Sequence, residues 1–96
     1  MSIAEFQRLI EKTYFDRDKS RGMGGTFMWF IEEVGELSTA LRCETKEKQA
    51  SEFADVFAWL ATLASLSGIE LEDAVNKYKG GCPACNNMPC TCSEKK

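Results

Sequence analysis

The chain of 96 residues contains no histidine, and it has no run of the roughly 18 apolar residues that a membrane span needs. Histidine-based nucleophilic catalysis is therefore excluded, and we interpret the isolated Cys43 as a helix-packing thiol. The first residues, MSIAEFQRLIEK, lack the apolar stretch and cleavage site of a secretory signal. We expect a cytoplasmic protein without a membrane partner.

An excess of positive charge is also missing: the chain has 12 Lys and Arg residues and 15 Asp and Glu residues, which gives a net charge of -3. This balance gives no broad attraction to nucleic acid or to an anionic membrane, so we do not expect nucleic acid as a partner. A chain of this length makes one small domain, near the size at which oligomerisation or a bound metal is needed for stability. We predict a homodimer or a homotetramer.

Apolar residues at helical spacing predict an all-α domain, a bundle of four helices. The predicted helices cover about residues 2–16, 26–42, 50–67 and 70–79. Between the first two, the segment DRDKSRGMGG mixes charges with glycines and predicts a loop. We assign residues 1–80 to this domain and residues 81–96 to a cysteine-rich tail.

The third predicted helix is unusual because no charged residue occurs between Asp55 and Glu70. Large apolar side chains cover nearly every face of it, and a helix that is apolar all round is buried all round. It is expected at the centre of a bundle or against another subunit. Glu52 and Asp55, at the start of this helix, are then drawn partly into apolar surroundings.

Five carboxylates occur in two short groups, EEVGE at 32–36 and EFAD at 52–55. Residues 37–51 are enough for an antiparallel hairpin that brings both groups to the same level, with the acids of each group at i,i+3 or i,i+4 spacing. Carboxylates about 4 Å apart repel by roughly 4 kcal/mol at an effective dielectric near 20, so they require a cation or stay apart in solvent. We favour the cation, and an oxygen-only site suits Mg²⁺ or Mn²⁺.

These two groups resemble the EExxE and ExxD signature of the MazG-like, all-α nucleoside triphosphate pyrophosphohydrolases, and the resemblance covers about residues 25–79. It implies hydrolysis of the α–β phosphoanhydride of a nucleoside triphosphate to a monophosphate and pyrophosphate. It also implies a set of Mg²⁺ ligands: Glu33, Glu36, Glu52 and Asp55. Glu32 is implied to hold a further ion or to activate the attacking water, so the expected catalytic residues are Glu32, Glu33 and Glu36.

Four further residues are candidates for binding the nucleotide substrate. Trp29 and Trp59 each lie one turn from an expected metal ligand and are suited to stacking on a base, with core packing as the equally supported alternative. By the resemblance, Lys77 and Lys79 grip phosphates, although glycines and cysteines follow where family members often continue with Asn or Arg. The glycine-containing segment offers other cations for the phosphates, Arg17, Lys19 and Arg21, although a solvated loop is the favoured interpretation of that segment.

The tail carries four cysteines in the pattern Cys82-x2-Cys85-x4-Cys90-x-Cys92. Such crowding in a reducing compartment favours zinc, and a tetrahedral metal would fold a segment that is too short and polar to order itself. We predict a structural Zn²⁺ held by all four thiolates in a zinc-knuckle-like tail. Disulfides, a redox function, disordered thiols and an iron–sulfur cluster are the alternatives.

Two other functions fit the same residues. Phosphoribosyl-ATP pyrophosphohydrolase, from a related all-α family of similar length and acid pattern, is the enzymatic alternative. A non-catalytic metal-binding interaction module is the alternative of another class, in which the tail recruits a partner and the acids bind only ions or solvent. The base and the sugar of the nucleotide stay open.

Overall fold

The computed structural model describes residues 1–93, and that range contains helices and loops without a strand. Helix α1 spans Ile3–Cys43, α2 spans Lys46–Leu66 and α3 spans Leu71–Ala74, followed by a 3₁₀ turn over Val75–Tyr78. The all-α prediction is confirmed. The prediction of four helices is wrong for the described residues, which form three. The end of the predicted tail, residues 94–96, lies outside the described residues.

Two of the predicted helices are parts of α1, and the segment between them is helical except at one residue. Gly22 has φ 77° and ψ 179°, in a backbone region that only glycine adopts readily. The loop predicted over residues 16–25 is therefore wrong, apart from this single break in the helix.

A buried polar network closes around the break at Gly22. The fully buried Thr26 donates its hydroxyl to the Gly22 carbonyl at 2.7 Å. Arg21 donates to Asp18 at 3.1 Å and to Thr26 at 3.2 Å. Thr62 of α2 donates to the second oxygen of Asp18 at 3.3 Å, which ties the break to the facing helix. Two charged residues of this segment, the buried Asp18 and the half-buried Arg21, therefore lie at the helix contact, where each has a polar partner.

Helix α2 begins earlier than predicted, and only two residues separate it from the end of α1. Thr45 is its N-cap and accepts a hydrogen bond from the backbone N–H of Lys48 at 3.2 Å, with Glu47 in the first turn. A capping hydroxyl and an acidic first turn both stabilise a helix N-terminus, so the polar segment expected to be a turn becomes helix. The short connection folds α2 back against α1.

Gln7 joins the start of α1 to the chain that follows α2. Its side chain is fully buried, and Nε2 donates to Ser65 Oγ at 3.0 Å and to the Ile69 carbonyl at 2.9 Å. Its Oε1 accepts the backbone N–H of Leu71 at 2.9 Å. Both amide hydrogens and the amide oxygen of Gln7 are thus used, and they position α3 beside α1.

The last predicted helix, over residues 70–79, is only partly α-helical. The α-helical hydrogen bonding of α3 ends at Ala74, and the chain tightens into the 3₁₀ turn Val75–Tyr78 before Gly80 and Gly81. A 3₁₀ turn at a helix C-terminus is common because it satisfies the terminal carbonyls over a short length. The described part of the tail beyond it has no regular helix.

A single chain buries little apolar surface. Three alanines are the buried apolar residues of the described chain: Ala40, Ala61 and Ala64. On α2, Phe53 is 54% exposed, Phe57 38% and Leu60 39%. The radius of gyration is 15.7 Å, compared with about 12–13 Å for a compact domain of this length. Helix α2 is therefore not the centre of a bundle within one chain.

No helix among residues 1–93 is, taken alone, long and apolar enough to cross a membrane. The pair Lys46–Leu66 and Leu71–Tyr78 reaches that length and composition only together, with a bend of 96° between them.

Replacing Gly22 by alanine is expected to lower the free energy of unfolding by about 1–3 kcal/mol, because an L-residue is strained at its φ of 77°. The matched control is Gly24→Ala, since Gly24 lies in regular helix and an added Cβ there meets no atom within 4 Å. This control is expected to raise stability by up to about 1 kcal/mol. Urea unfolding of both variants measures the difference, and equal effects would contradict the assigned break.

Candidate active site

The antiparallel pairing of α1 and α2 brings the two acid groups together. Carboxylate oxygens of Glu33, Glu36 and Glu52 all lie within 4.8 Å of one another, and we call these three residues the acid cluster. Glu52 is only 6% exposed, Glu33 is half-buried, and Glu36 lies at the exposed rim. Lys48 places its Nζ 3.9 Å from Glu52 and offsets part of the negative charge.

The other two predicted acids lie next to this cluster or outside it. Asp55 is close enough for its charge to help raise the pKa of both Glu33 and Glu52. Its carboxylate is not among the three that converge within 4.8 Å. Glu32 is exposed and also lies outside the acid cluster. The structure thus brings three of the four expected Mg²⁺ ligands together, with the fourth adjacent.

Glu33 shows what the acid cluster requires. Burial, followed by the hydrogen bond and the charge of Glu36, raises the pKa of Glu33 to about 7. Its Oε2 atom is buried and has no hydrogen-bond partner within the described chain. An unsatisfied buried carboxylate oxygen facing two further carboxylates is costly, and a divalent cation would satisfy all three. This oxygen-only donor set fits Mg²⁺ or Mn²⁺.

A cleft of about 380 Å³ opens beside the acid cluster, and Glu33 and Asp55 form part of its wall. This volume lies within the roughly 300–1,000 Å³ typical of small-molecule sites. Trp29 and Trp59 also line the cleft, and their rings stack with centroids 6.1 Å apart and planes 14° apart. Trp29 is 50% exposed, so it is not a core residue of the single chain.

Arginines supply the positive charge at the cleft. Arg17 and Arg21 line it, and the Arg21 guanidinium lies 4.7 Å from the centroid of the Trp59 ring. Lys77 and Lys79 do not line it; Lys77 instead lies over the ring of the next residue at 5.3 Å. The structure therefore places Arg17 and Arg21, from the segment predicted to be a loop, at the cleft. Lys77 and Lys79 lie outside the cleft wall.

Sequence reasoning missed three polar residues of the cleft wall: Tyr14, Asp18 and Thr62. Asp18 fixes Arg21 through their ion pair at 3.1 Å, and Thr62 in turn holds Asp18. The i,i+3 spacing of Asp18 and Arg21 is a helical signal, but the glycines that follow outweighed it. Thr62 stands in an apolar run and carries no local signal of its role.

The four tail cysteines form a second group. Their sulfur atoms all lie within 4.8 Å of one another, and all are free thiols. The pKa of Cys85 falls to about 6, first because of the hydrogen bond from the Thr91 backbone, while that of Cys92 rises to about 11 through its contacts with the other sulfurs, Cys90 first. The chain gathers these thiols without joining them as disulfides.

Cys43 lies apart from this group. It is exposed, and its thiol donates to the Thr39 carbonyl one turn earlier at 3.3 Å. The interpretation of Cys43 as a helix-packing thiol is wrong for the single chain, because the residue is exposed there.

The metal-free protein is expected to lose stability as the pH rises from about 4.5 to about 7 and to level off above that range. The folded state keeps a proton on Glu33 in this interval, whereas the unfolded chain releases it, so rising pH favours unfolding. Glu52 acts in the same direction, because its pKa is also raised, chiefly by burial. Thermal unfolding in chelator at a series of pH values measures the trend.

Glu33→Gln is expected to flatten this dependence, since it removes the titrating group. Glu44→Gln, a change of an exposed acid outside the acid cluster, is expected to retain it. Stability that rises with pH across the same interval in the parent protein would contradict the coupling among these carboxylates.

Comparison with known families shows which family the sequence is similar to. The family model described as the MazG nucleotide pyrophosphohydrolase domain matches residues 24–85. The matched range contains both acid groups, both tryptophans and the first two cysteines of the tail. A search of the curated proteins finds no match.

Proposed function

The chain belongs to the MazG nucleotide pyrophosphohydrolase family, and we propose that it cleaves the α–β phosphoanhydride of a nucleoside triphosphate, releasing a monophosphate and pyrophosphate. The observation that carries this proposal is the acid cluster, whose three carboxylates converge within 4.8 Å beside a cleft lined by tryptophan and arginine. Paired acids, an aromatic surface and cations are the parts that binding and hydrolysing a nucleotide require.

The carboxylates have two roles in this proposal. Glu33, Glu36 and Glu52, with the adjacent Asp55, would hold Mg²⁺, with Mn²⁺ as the alternative, and the ion would supply charge neutralisation of the phosphate oxygens. Glu32 follows the cleft residue Trp29 by three positions, is exposed, and accepts the proton of the attacking water. The proton acceptor in this proposal is therefore a carboxylate, in a chain that contains no histidine.

The cleft orients the nucleotide. The exposed ring of Trp29, backed by Trp59, stacks on the base, and this contact is tolerant of base identity. We assign the phosphate contacts to Arg17 and Arg21, because these residues line the cleft, whereas Lys77 and Lys79 do not. Asp18 keeps Arg21 in place, so it acts as a positioning residue.

We also propose that the working form is a homodimer, or a tetramer made of two dimers. The partner would be a second copy of this chain. A single chain leaves apolar side chains of α2 exposed and buries only a small core, and an interface with a second copy would cover those side chains. The large radius of gyration agrees with this proposal. We further propose a cytoplasmic location, because thiols stay reduced there and the cysteines of this chain are free.

Purified protein with Mg²⁺ is expected to release pyrophosphate from one or more nucleoside triphosphates of a panel that also contains phosphoribosyl-ATP. Glu36→Gln and Asp55→Asn are each expected to lower kcat about 100-fold or more, because they remove metal-binding oxygens. The matched control Glu44→Gln, outside the acid cluster, is expected to keep the parental rate.

The outcomes separate the alternatives. Turnover of phosphoribosyl-ATP alone would redirect the assignment to that related family. No pyrophosphate from any nucleotide, together with identical Mg²⁺-dependent thermal shifts in the parent and Glu36→Gln, would leave a non-catalytic metal-binding module and overturn the proposal.

Light scattering during size-exclusion chromatography is expected to give at least twice the 10.8 kDa of a single chain. Phe53→Asp should shift the population toward the monomer, since it places a charge on the exposed apolar face of α2. Met88→Asp, at a 78% exposed position in the tail, is the control and should leave the mass unchanged. A parent protein of 10.8 kDa at all concentrations would contradict the assembly.

A further inference from the structure

We infer that the four tail cysteines form a tetrathiolate zinc site, separate from the acid cluster and independent of the hydrolase proposal. The ligands are Cys82, Cys85, Cys90 and Cys92, whose sulfur atoms all lie within 4.8 Å of one another. The structure adds three features to the sequence pattern: the distances between the sulfurs, backbone amides that donate to them, and the turn at Gly81.

Two of the sulfur–sulfur separations match the edge of a zinc tetrahedron, and the other pairs lie within 4.8 Å. A Zn–S bond of about 2.3 Å places the four sulfurs of a regular tetrahedron about 3.8 Å apart. Cys82 and Cys92 have their sulfurs 3.7 Å apart, and Cys85 and Cys90 have theirs 3.9 Å apart. A disulfide requires about 2.05 Å, so both pairs are at metal-sharing distance and not at bonding distance.

Regular secondary structure does not bring these four thiols together. The described residues after Gly81 have no regular helix or strand, and thiols are weak hydrogen-bond donors and acceptors. Four weakly interacting side chains on an irregular, largely exposed segment do not converge on one point without a shared ligand. A tetrahedral ion supplies that ligand and orders the tail.

Backbone amides surround the sulfurs as they do in a metal-thiolate site. The Thr91 N–H donates to Cys85 Sγ at 3.4 Å, and the Cys92 N–H donates to Cys90 Sγ at 3.3 Å. Such donors stabilise thiolates, the form that zinc binds, and orient the ligands. All four positions are filled by protein sulfur, so the site is closed and structural and has no open position for a substrate.

Gly81 makes the turn that brings the two halves of the site together. Its φ is 105°, and a Cβ added there would lie 2.6 Å from the Asn87 carbonyl oxygen. That same oxygen accepts the backbone N–H of Cys82 at 3.0 Å, and Asn86 donates its N–H to the Cys82 carbonyl. These contacts close residues 82–87 into a knuckle that holds the first two ligands in place, so Gly81 is a positioning residue for the metal.

The test is elemental analysis of the full chain purified under reducing conditions without chelator. About one zinc per chain is expected in the parent and in Cys43→Ser, the matched control that removes the only cysteine outside the site. Cys85→Ser and Cys90→Ser are expected to retain less than about one tenth of that zinc. Gly81→Ala keeps all four ligands, and its zinc dissociation constant is expected to rise about tenfold or more.

A second measurement uses only the parent protein, so its result does not depend on whether the variants fold. Parent protein loaded with Co²⁺ is expected to show the sulfur-to-cobalt charge transfer and strong visible bands of tetrahedral thiolate coordination. Zinc below half an equivalent with no such spectrum would overturn the inference. So would iron with acid-labile sulfide in place of zinc, two disulfides in the freshly purified chain, or equal zinc in the parent and Cys85→Ser.

Discussion

The contact between α1 and α2 holds the domain together and also concentrates its negative charge. Small residues such as Ala40 and Ala61 are fully covered where the helices approach, and the same approach brings Glu33, Glu36 and Glu52 within reach of one ion. The stabilising contact and the repulsive acid cluster therefore cannot be varied independently. The proposed cation would convert this repulsion into a bridge between the helices and so couple metal binding to folding.

Buried hydrogen bonds fix the relative positions of the helices, which the small apolar core does not do by itself. Gln7 and Thr26 are the largest fully buried side chains of the described chain, and each sits in a network that joins distant segments. Buried hydrogen bonds add modest net stability, but they penalise any arrangement that leaves a partner unsatisfied. The path of α1 through Gly22, and with it the position of Arg21 over Trp59, is fixed in this way.

The sequence was sufficient for features that depend on helical periodicity. The all-α class and the convergence of Glu33, Glu36 and Glu52 follow from 3.6 residues per turn and the length of the connection between the two acid groups. It failed for residues 16–25, where glycines and mixed charges are typical of a loop. The helix there depends on Thr62, which is distant in sequence and pairs with Asp18, and such a tertiary contact has no local signature. The lysines of the last helix do not line the cleft, and the direction in which a 3₁₀ turn points its side chains cannot be read from residue spacing.

The stacked pair Trp29 and Trp59 has a practical consequence for observing this protein. These are the two tryptophans of the chain, and both line the cleft beside the acid cluster. Their near-ultraviolet emission therefore originates wholly at the site, without background from a distant indole. The guanidinium over Trp59 makes that emission sensitive to displacement of Arg21. The unlabelled molecule carries its own fluorophore for following occupancy of the cleft in real time.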